Sequence, residues 1–148
     1  MCFLRLQIKT VCGIMKKNKI KGSRSEMNLH ESAEMYLETI YILSCENECV
    51  RSIDVAEHMG YSKPSVSRAV GLLKKAGLLT MEKDGCLRLT EDGKTTAKKV
   101  FDRHTVLSHF LAFIGVNGEI ATKDACRMEH VISDETVTAI KTFLEKYE

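Results

Sequence analysis

SIDVAEHMGYSKPSVSRAVGLLKKAGLLTMEKDGCLRL, residues 52–89, decides the fold. Its first run, Ser52 to Met59, sets Ile53, Val55, Ala56 and Met59 on one side and stops at Gly60, which tolerates the positive φ of a helix end or tight turn. Ser62 then starts a second helix, with Pro64 in the first turn where its missing N–H costs nothing, running to Ala76 before Gly77. After Gly77 the period changes from helical to strand-like. Leu78 to Glu82 precede Lys83-Asp84-Gly85, Cys86 to Leu89 follow, and Asp-Gly between two such runs signals a hairpin. Helix, glycine turn, helix and hairpin follow the order of a winged helix-turn-helix. Ala56 is small where the helices cross, and Val66 points back into the shared core.

Upstream, Ala33, Met35, Tyr36, Leu37, Ile40, Tyr41 and Leu43 recur at helical spacing and predict a helix from Ser32, its N-cap, to Leu43. Downstream, Thr90 caps a long helix from Glu91 to about Ile114, broken by Gly115 and Gly118. Two shorter helices are expected, Thr122 to Val131 and, capped by Ser133, Asp134 to about Tyr147. The fold class is mainly α with a small β-hairpin wing.

A chain of 148 residues with 44% hydrophobic and 28% charged content is globular rather than disordered. It contains no uninterrupted apolar stretch of membrane-spanning length and no convincing cleavage site near the N-terminus, so a cytoplasmic protein with no membrane partner is expected. The net charge of +2 conceals a segregation. Residues 1–25 are basic without acids, residues 26–50 acidic without Lys or Arg, residues 51–103 basic and residues 104–148 acidic. A basic centre suits phosphate and acidic flanks suit a cation, although solvated faces also carry charge of this size. Residues 1–26 lack periodicity and read as a basic, disordered extension; either it is a tail touching DNA or the native start is Met27.

The six cysteines, at 2, 12, 45, 49, 86 and 126, form no C-x-x-C pair. Neither a disulfide framework nor a structural zinc site is expected, and Cys45 and Cys49 read as incidental small residues.

Ser62, Lys63, Pro64, Ser65, Ser67, Arg68 and Lys74 make up the candidate DNA surface of the second helix, with Val66, Val70 and Leu73 as its buried stripe. Hydroxyls and lysines suit phosphate oxygens, while an Arg in mid-helix can bond guanine bidentately, so Arg68 is the candidate base reader. Lys83 and Arg88 in the wing would touch the backbone and add affinity without sequence preference.

Cys126, Glu129 and His130 stand at i, i+3 and i+4, so thiolate, carboxylate and imidazole share one face of a helical turn. Three such residues are not a full ligand shell, and random helices show similar triads.

HESAEMYLETIYIL, the helix-turn-helix and DACRMEHVISDE resemble the iron-dependent repressors of the diphtheria toxin repressor family and the related manganese transport regulators, over a span from about Met27 to the C-terminus. The resemblance implies a metal-dependent transcriptional regulator, a repressor of metal-uptake genes activated by iron(II) or manganese(II). It implies a winged helix-turn-helix domain at 27–98 and a helical dimerisation and metal-binding domain at 99–148. It also implies a metal site from Met35, Cys126, Glu129 and His130, with Glu38 and His104 at positions the manganese regulators use. Only distances decide whether these two join the Met35 site or form another. Ser108 and Thr122 replace a carboxylate and a histidine of the family's ancillary site, so a second site of that kind is not expected. The small β-domain of the longer iron repressors is not expected either. Thioether and thiolate donors favour iron(II) over manganese(II).

The apolar residues Val106, Leu107, Phe110, Leu111, Phe113, Ile114, Val137, Ile140, Phe143 and Leu144 exceed what so short a tail buries, which points to a homodimer and hence a palindromic operator. A metal-independent winged-helix regulator or protein-interaction module is the alternative. No H-E-x-x-H, nucleophile elbow or phosphate-binding glycine loop is present, so an enzyme is not expected.

Overall fold

Capping residues set most of the element boundaries. The computed structural model describes residues 29–147, and the basic segment 1–26 and Met27 lie outside them. The described elements run α1 (Leu29–Glu46), α2 (Ser52–Met59), α3 (Lys63–Lys75), β1 (Leu79–Met81), β2 (Leu87–Leu89), α4 (Glu91–Phe113), α5 (Gly118–Met128) and α6 (Asp134–Tyr147). No described helix is long and apolar enough to cross a membrane. The chain divides into two compact units, one through Lys98 and one from Lys99 onward.

In the first unit, α1 begins earlier than expected, and Ser32 lies within it rather than capping it. At the start of α2 the Arg51 N–H donates to Asp54 Oδ2 at 2.7 Å, and the helix ends at Gly60, whose φ of 67° lies in the left-handed region. Ser62 caps α3 by accepting from the Ser65 N–H at 3.4 Å. The hydrophobic core gathers Leu37, Ile40 and Leu43 of α1, Val55 and Ala56 of α2, Val66, Val70 and Leu73 of α3, Leu79 and Leu87 of the hairpin and Ala97 of α4. Burying the expected stripe of each helix against its neighbours is what sets their order in space.

β1 and β2 pair antiparallel, Leu79 opposite Leu89 and Met81 opposite Leu87, while Val50 bridges to Leu87 from the segment between α1 and α2. The connection is not a two-residue Asp-Gly turn. Glu82 N–H donates to the Cys86 carbonyl at 2.8 Å and Gly85 N–H to the Glu82 carbonyl at 3.0 Å, enclosing three residues, with only Gly85 at positive φ (87°). This arrangement is a turn closed by a glycine bulge, which the sequence satisfies because the residue needing φ > 0 is Gly85 and not Asp84. The wing returns into α4 through Thr90, whose hydroxyl accepts from the Gly93 N–H at 3.1 Å and donates to the Gly77 carbonyl at 2.8 Å.

In the second unit, α5 differs from the expected Thr122 to Val131. Asn117 accepts from the Glu119 N–H at 3.0 Å and so starts the helix at Gly118. Past Met128 the chain keeps winding, with Glu129 N–H donating to the Ala125 carbonyl at 2.9 Å and Ile132 N–H to the Met128 carbonyl at 3.0 Å. α6 starts where expected, Ser133 Oγ accepting from the Thr136 N–H at 3.2 Å. Asp134 at its first turn binds Lys99 at 2.7 Å and Arg103 at 3.0 Å, and the Arg103 guanidinium also donates to the Ile132 carbonyl. The hydrogen bond from Lys99, assisted by both cations, holds the Asp134 carboxyl below its ordinary value.

One expectation about the cysteines fails. Cys49 and Cys86 are joined by a disulfide across 37 positions of sequence. Local spacing misses this pair because the antiparallel pairing of the 49–50 segment with β2, rather than sequence proximity, brings the sulfurs together.

Candidate functional site

α4 presents His104 to the turn that follows α5. His104 Nδ1 lies 2.7 Å from Glu129 Oε2, and both side chains are fully buried. One ligand atom each from His104, Cys126 and Glu129 lies within 4.8 Å of the others. His130 adjoins this group through Glu129, its Nε2 being 3.4 Å from Glu129 Oε1. The i, i+3 spacing of Cys126 and Glu129 survives the end of α5 because Glu129 keeps helical dihedrals of −57° and −29°.

The donor chemistry suits a divalent transition metal. Imidazole, thiolate and carboxylate form a mixed nitrogen, sulfur and oxygen set, and thiolate with carboxylate supply two negative charges against a dication. A buried carboxylate costs several kcal/mol of desolvation unless an opposite charge or hydrogen bonds compensate it; His104 supplies one such contact, and an ion among these donors would add to it.

Met35 and Glu38 stand three residues apart on α1 in the first unit, Met35 half-buried and Glu38 only 2% exposed. A glutamate so deeply buried is itself unusual, since carboxylates are seldom fully buried unless paired. Thr122, at one ancillary position, donates its hydroxyl to the Gly118 carbonyl at 2.9 Å within its own helix. Ser108, at another, is half-buried, its Oγ shielded from solvent.

The surface of α3 opposite Val66, Val70 and Leu73 carries Lys63, Pro64, Ser67, Arg68 and Lys74, all exposed, with Ser62 exposed at its start and Ser65 half-buried. Leu72, 51% exposed on the same helix, was not expected there. Its place in a K-K-flanked Leu-Leu pair hides it from periodicity, because only Leu73 falls on the buried stripe. In the wing Lys83 is exposed, whereas Arg88 donates to the Glu48 carbonyl at 2.8 Å and pairs with Glu82 at 3.3 Å. Arg88 therefore ties the wing to the turn after α1 as well as facing solvent.

Within the second unit Phe143 meets Phe110 and Phe113 edge-on at 6.0 Å and Tyr147 at 4.7 Å. Phe113, Ile114, Phe143 and Tyr147 stay 40–57% exposed, while Leu107 and Leu144 are buried within the chain and leave the set expected at a dimer face. Tyr147 joins that set, having been read only as a helix end.

Residues 28–87 match the family described as iron dependent repressor, N-terminal DNA binding domain, and residues 90–148 that described as iron dependent repressor, metal binding and dimerisation domain. The transcriptional regulator MntR of Escherichia coli O157:H7 is 32% identical over 136 residues, covering 90% of this chain and 88% of that protein. The diphtheria toxin repressor of Corynebacterium diphtheriae is 36% identical over 109 residues, 73% of this chain and 48% of that one. Among solved structures, the manganese regulator SloR superposes with a TM-score of 0.69 at 30% identity over 76% of this chain. The chain spans about half the length of SloR, 53%.

Proposed function

We propose, from the premise that the chain belongs to the iron-dependent repressor family of metal-dependent transcriptional regulators, that it is a cytoplasmic homodimeric repressor of metal-uptake genes. The observation that supports this reading most is the cluster of His104, Cys126 and Glu129, in which two buried ionisable side chains meet a thiol within 4.8 Å. In this reading His104, Cys126, Glu129 and His130 hold a divalent metal. Met35 and Glu38 are candidate donors on the strength of the family resemblance. Held by these residues, a dication would offset the charge of the carboxylate and thiolate, which would couple metal binding to the folding of the second unit.

The thiolate donor argues for iron(II), with manganese(II) second; similar solved structures include a manganese regulator and a manganese-dependent repressor, which keeps manganese in the comparison. Residues 27–98 are the DNA-binding domain and residues 99–148 the metal-binding and dimerisation domain. Lys63 and the hydroxyls of α3 contact phosphates with Lys83 and Arg88 of the wing, Lys74 adds charge, and Arg68 reads a base. The exposed Phe113, Ile114, Phe143 and Tyr147 form the dimer face, and two-fold symmetry calls for a palindromic operator.

Operator-library selection with the purified chain tests the reading, run at one salt concentration with anaerobic iron(II), with manganese(II) and with chelator. A palindrome enriched only with metal is the expected result, and the more effective ion identifies the signal. Equal binding in chelator would leave a metal-independent regulator.

A further inference from the structure

We propose that Cys49 and Cys86 are a reversible thiol–disulfide pair, oxidised by low-molecular-weight disulfides of the glutathione type, that sets how firmly the wing is held for DNA. The two cysteines are bonded to each other, their Cα atoms 5.3 Å apart, a span that suits a disulfide without backbone movement. In a chain that works on DNA in a reducing compartment, a disulfide is more often a sensor than a staple. Among the described residues Cys45, exposed on α1, and Cys126 are free thiols, so Cys49 and Cys86 are the pair joined to each other.

The bond lies where it can influence the DNA surface. Cys49 is half-buried in the segment that pairs with β2, and Cys86 is 2% exposed at the foot of the wing. On either side of the bond, Leu87 N–H donates to the Val50 carbonyl at 2.7 Å and Arg88 to the Glu48 carbonyl at 2.8 Å. These contacts do not need the sulfur bond, so the reduced wing keeps its register and loses only its covalent tie. Lys83 and Arg88 lie three residues before and two after Cys86.

Asp84 makes the two sulfurs unequal. Its Oδ1 accepts from the Cys86 N–H at 3.0 Å and its Oδ2 lies 3.1 Å from Cys86 Sγ. In the dithiol form the Cys86 S–H donates to that carboxylate, leaving Cys49, the more accessible sulfur, as the first nucleophile. The Cys49 thiolate attacks one sulfur of the small disulfide, forming a mixed disulfide and releasing one small thiolate. Cys86 then attacks the Cys49 sulfur while its proton passes to Asp84, and the second small thiolate leaves. Two protein thiols are oxidised, one small disulfide is reduced, and the protons freed from the cysteines end on the two small thiols.

The test uses the full chain with manganese(II), which does not itself reduce disulfides, equilibrated with mixtures of reduced and oxidised glutathione. Acid quenching, alkylation and peptide mass mapping read the cysteines, and fluorescence anisotropy at fixed salt reads operator affinity. Cys49 and Cys86 should oxidise together and reversibly, with the mixed disulfide trapped at Cys49 in a C86S chain. Operator binding should be about threefold to tenfold tighter when oxidised, the gain from immobilising one or two long cationic side chains in advance. A C49S/C86S chain should bind at the reduced value at every glutathione ratio, which separates the effect from oxidation of Cys126. The affinity arm rests on the operator reading above and the alkylation arm does not, so the failure of one is distinguishable from failure of the other. The proposal is overturned if the pair resists glutathione disulfide, or if it oxidises with no change in affinity. It is also overturned if the reduced pair, with Asp84, takes up cadmium in a C126A chain, shown by a thiolate charge-transfer band, and is thereby kept from oxidation.

Discussion

Glu129→Gln is the sharpest perturbation of the proposed metal centre, because it replaces a fully buried carboxyl by a neutral amide of the same volume. Without metal the cost should be small. The amide oxygen can still accept from His104 Nδ1 across the 2.7 Å separation, so the metal-free chain should unfold within about 1 kcal/mol of the parent. With metal the difference grows. Loss of a supporting group around a metal costs roughly 10- to 100-fold in affinity, and loss of a charged ligand belongs at the upper end of that range. An ion present at 100 times its Kd stabilises the folded state by about 2.7 kcal/mol, and a hundredfold weaker site leaves about 0.4 kcal/mol. The difference, about 2.3 kcal/mol, corresponds to a Tm shift of about 5–9 °C for a chain of this size. The assay is thermal unfolding of parent and variant at one manganese(II) concentration and in chelator, with operator affinity measured alongside. By linkage, the variant should lose operator affinity in metal and not in chelator. A variant that keeps the full metal-induced Tm shift would refute the placement of Glu129 among the ligands, whatever happens to DNA binding.

Gly93→Ala should destabilise the first unit by about 1–3 kcal/mol or more, read by urea unfolding. A Cβ there would overlap the Leu78 carbonyl oxygen and stand 3.0 Å from its carbon, and backbone on both sides leaves no flexible group to yield. Arg68→Ala should cost about 1–3 kcal/mol at the operator and relax preference at one base position. Lys83→Ala, in contrast, should weaken all sequences alike and reduce the salt slope by about one; selection with each variant separates the two. Asp134 titrates below its ordinary 3.8, so its tie to Lys99 and Arg103 contributes fully above about pH 4 and fades as acid carries the carboxyl through its lowered value. Asp134→Asn should therefore lower Tm at neutral pH and converge on the parent as acid protonates the carboxyl, which flattens the acid limb of a Tm-against-pH curve.

Local chemistry made the helix-turn-helix legible. Gly60, Ser62, Pro64, Gly77 and Thr90 each have a single physical role that needs no tertiary information, and all five sit at element boundaries. The start of α5 was missed because Asn117 follows the two-residue step after Gly115, and the pair of glycines outweighed the cap between them. Cys126, Glu129 and His130 were legible as a local triad. His104 was not: it sits 25 residues from Glu129, and only resemblance to known repressors brought it to the site before the 2.7 Å contact did. Exposed apolar residues were legible as a set but not individually, since periodicity assigns Leu107 and Phe110 to similar faces while burial takes Leu107 into the core.

The cysteines show where such reading stops. Cys126 stood out in a local triad, because Glu129 lies one helical turn away, and resemblance to known repressors then made it a candidate ligand. Cys49 and Cys86 have no local signature; a β-bridge between Val50 and Leu87 makes them adjacent, and long-range strand pairing is a tertiary property. The consequence reaches function, since the two kinds of thiol answer to different chemistry. Cys126 lies within 4.8 Å of an imidazole and a carboxylate, a donor set that could hold a cation, whereas Cys49 and Cys86 are bonded to each other. On the readings proposed above, the cluster of His104, Cys126 and Glu129 would answer to a metal ion and the Cys49–Cys86 pair to small thiols. Substituting either set alone should leave the other's response intact, which a joint titration of metal and glutathione ratio can resolve.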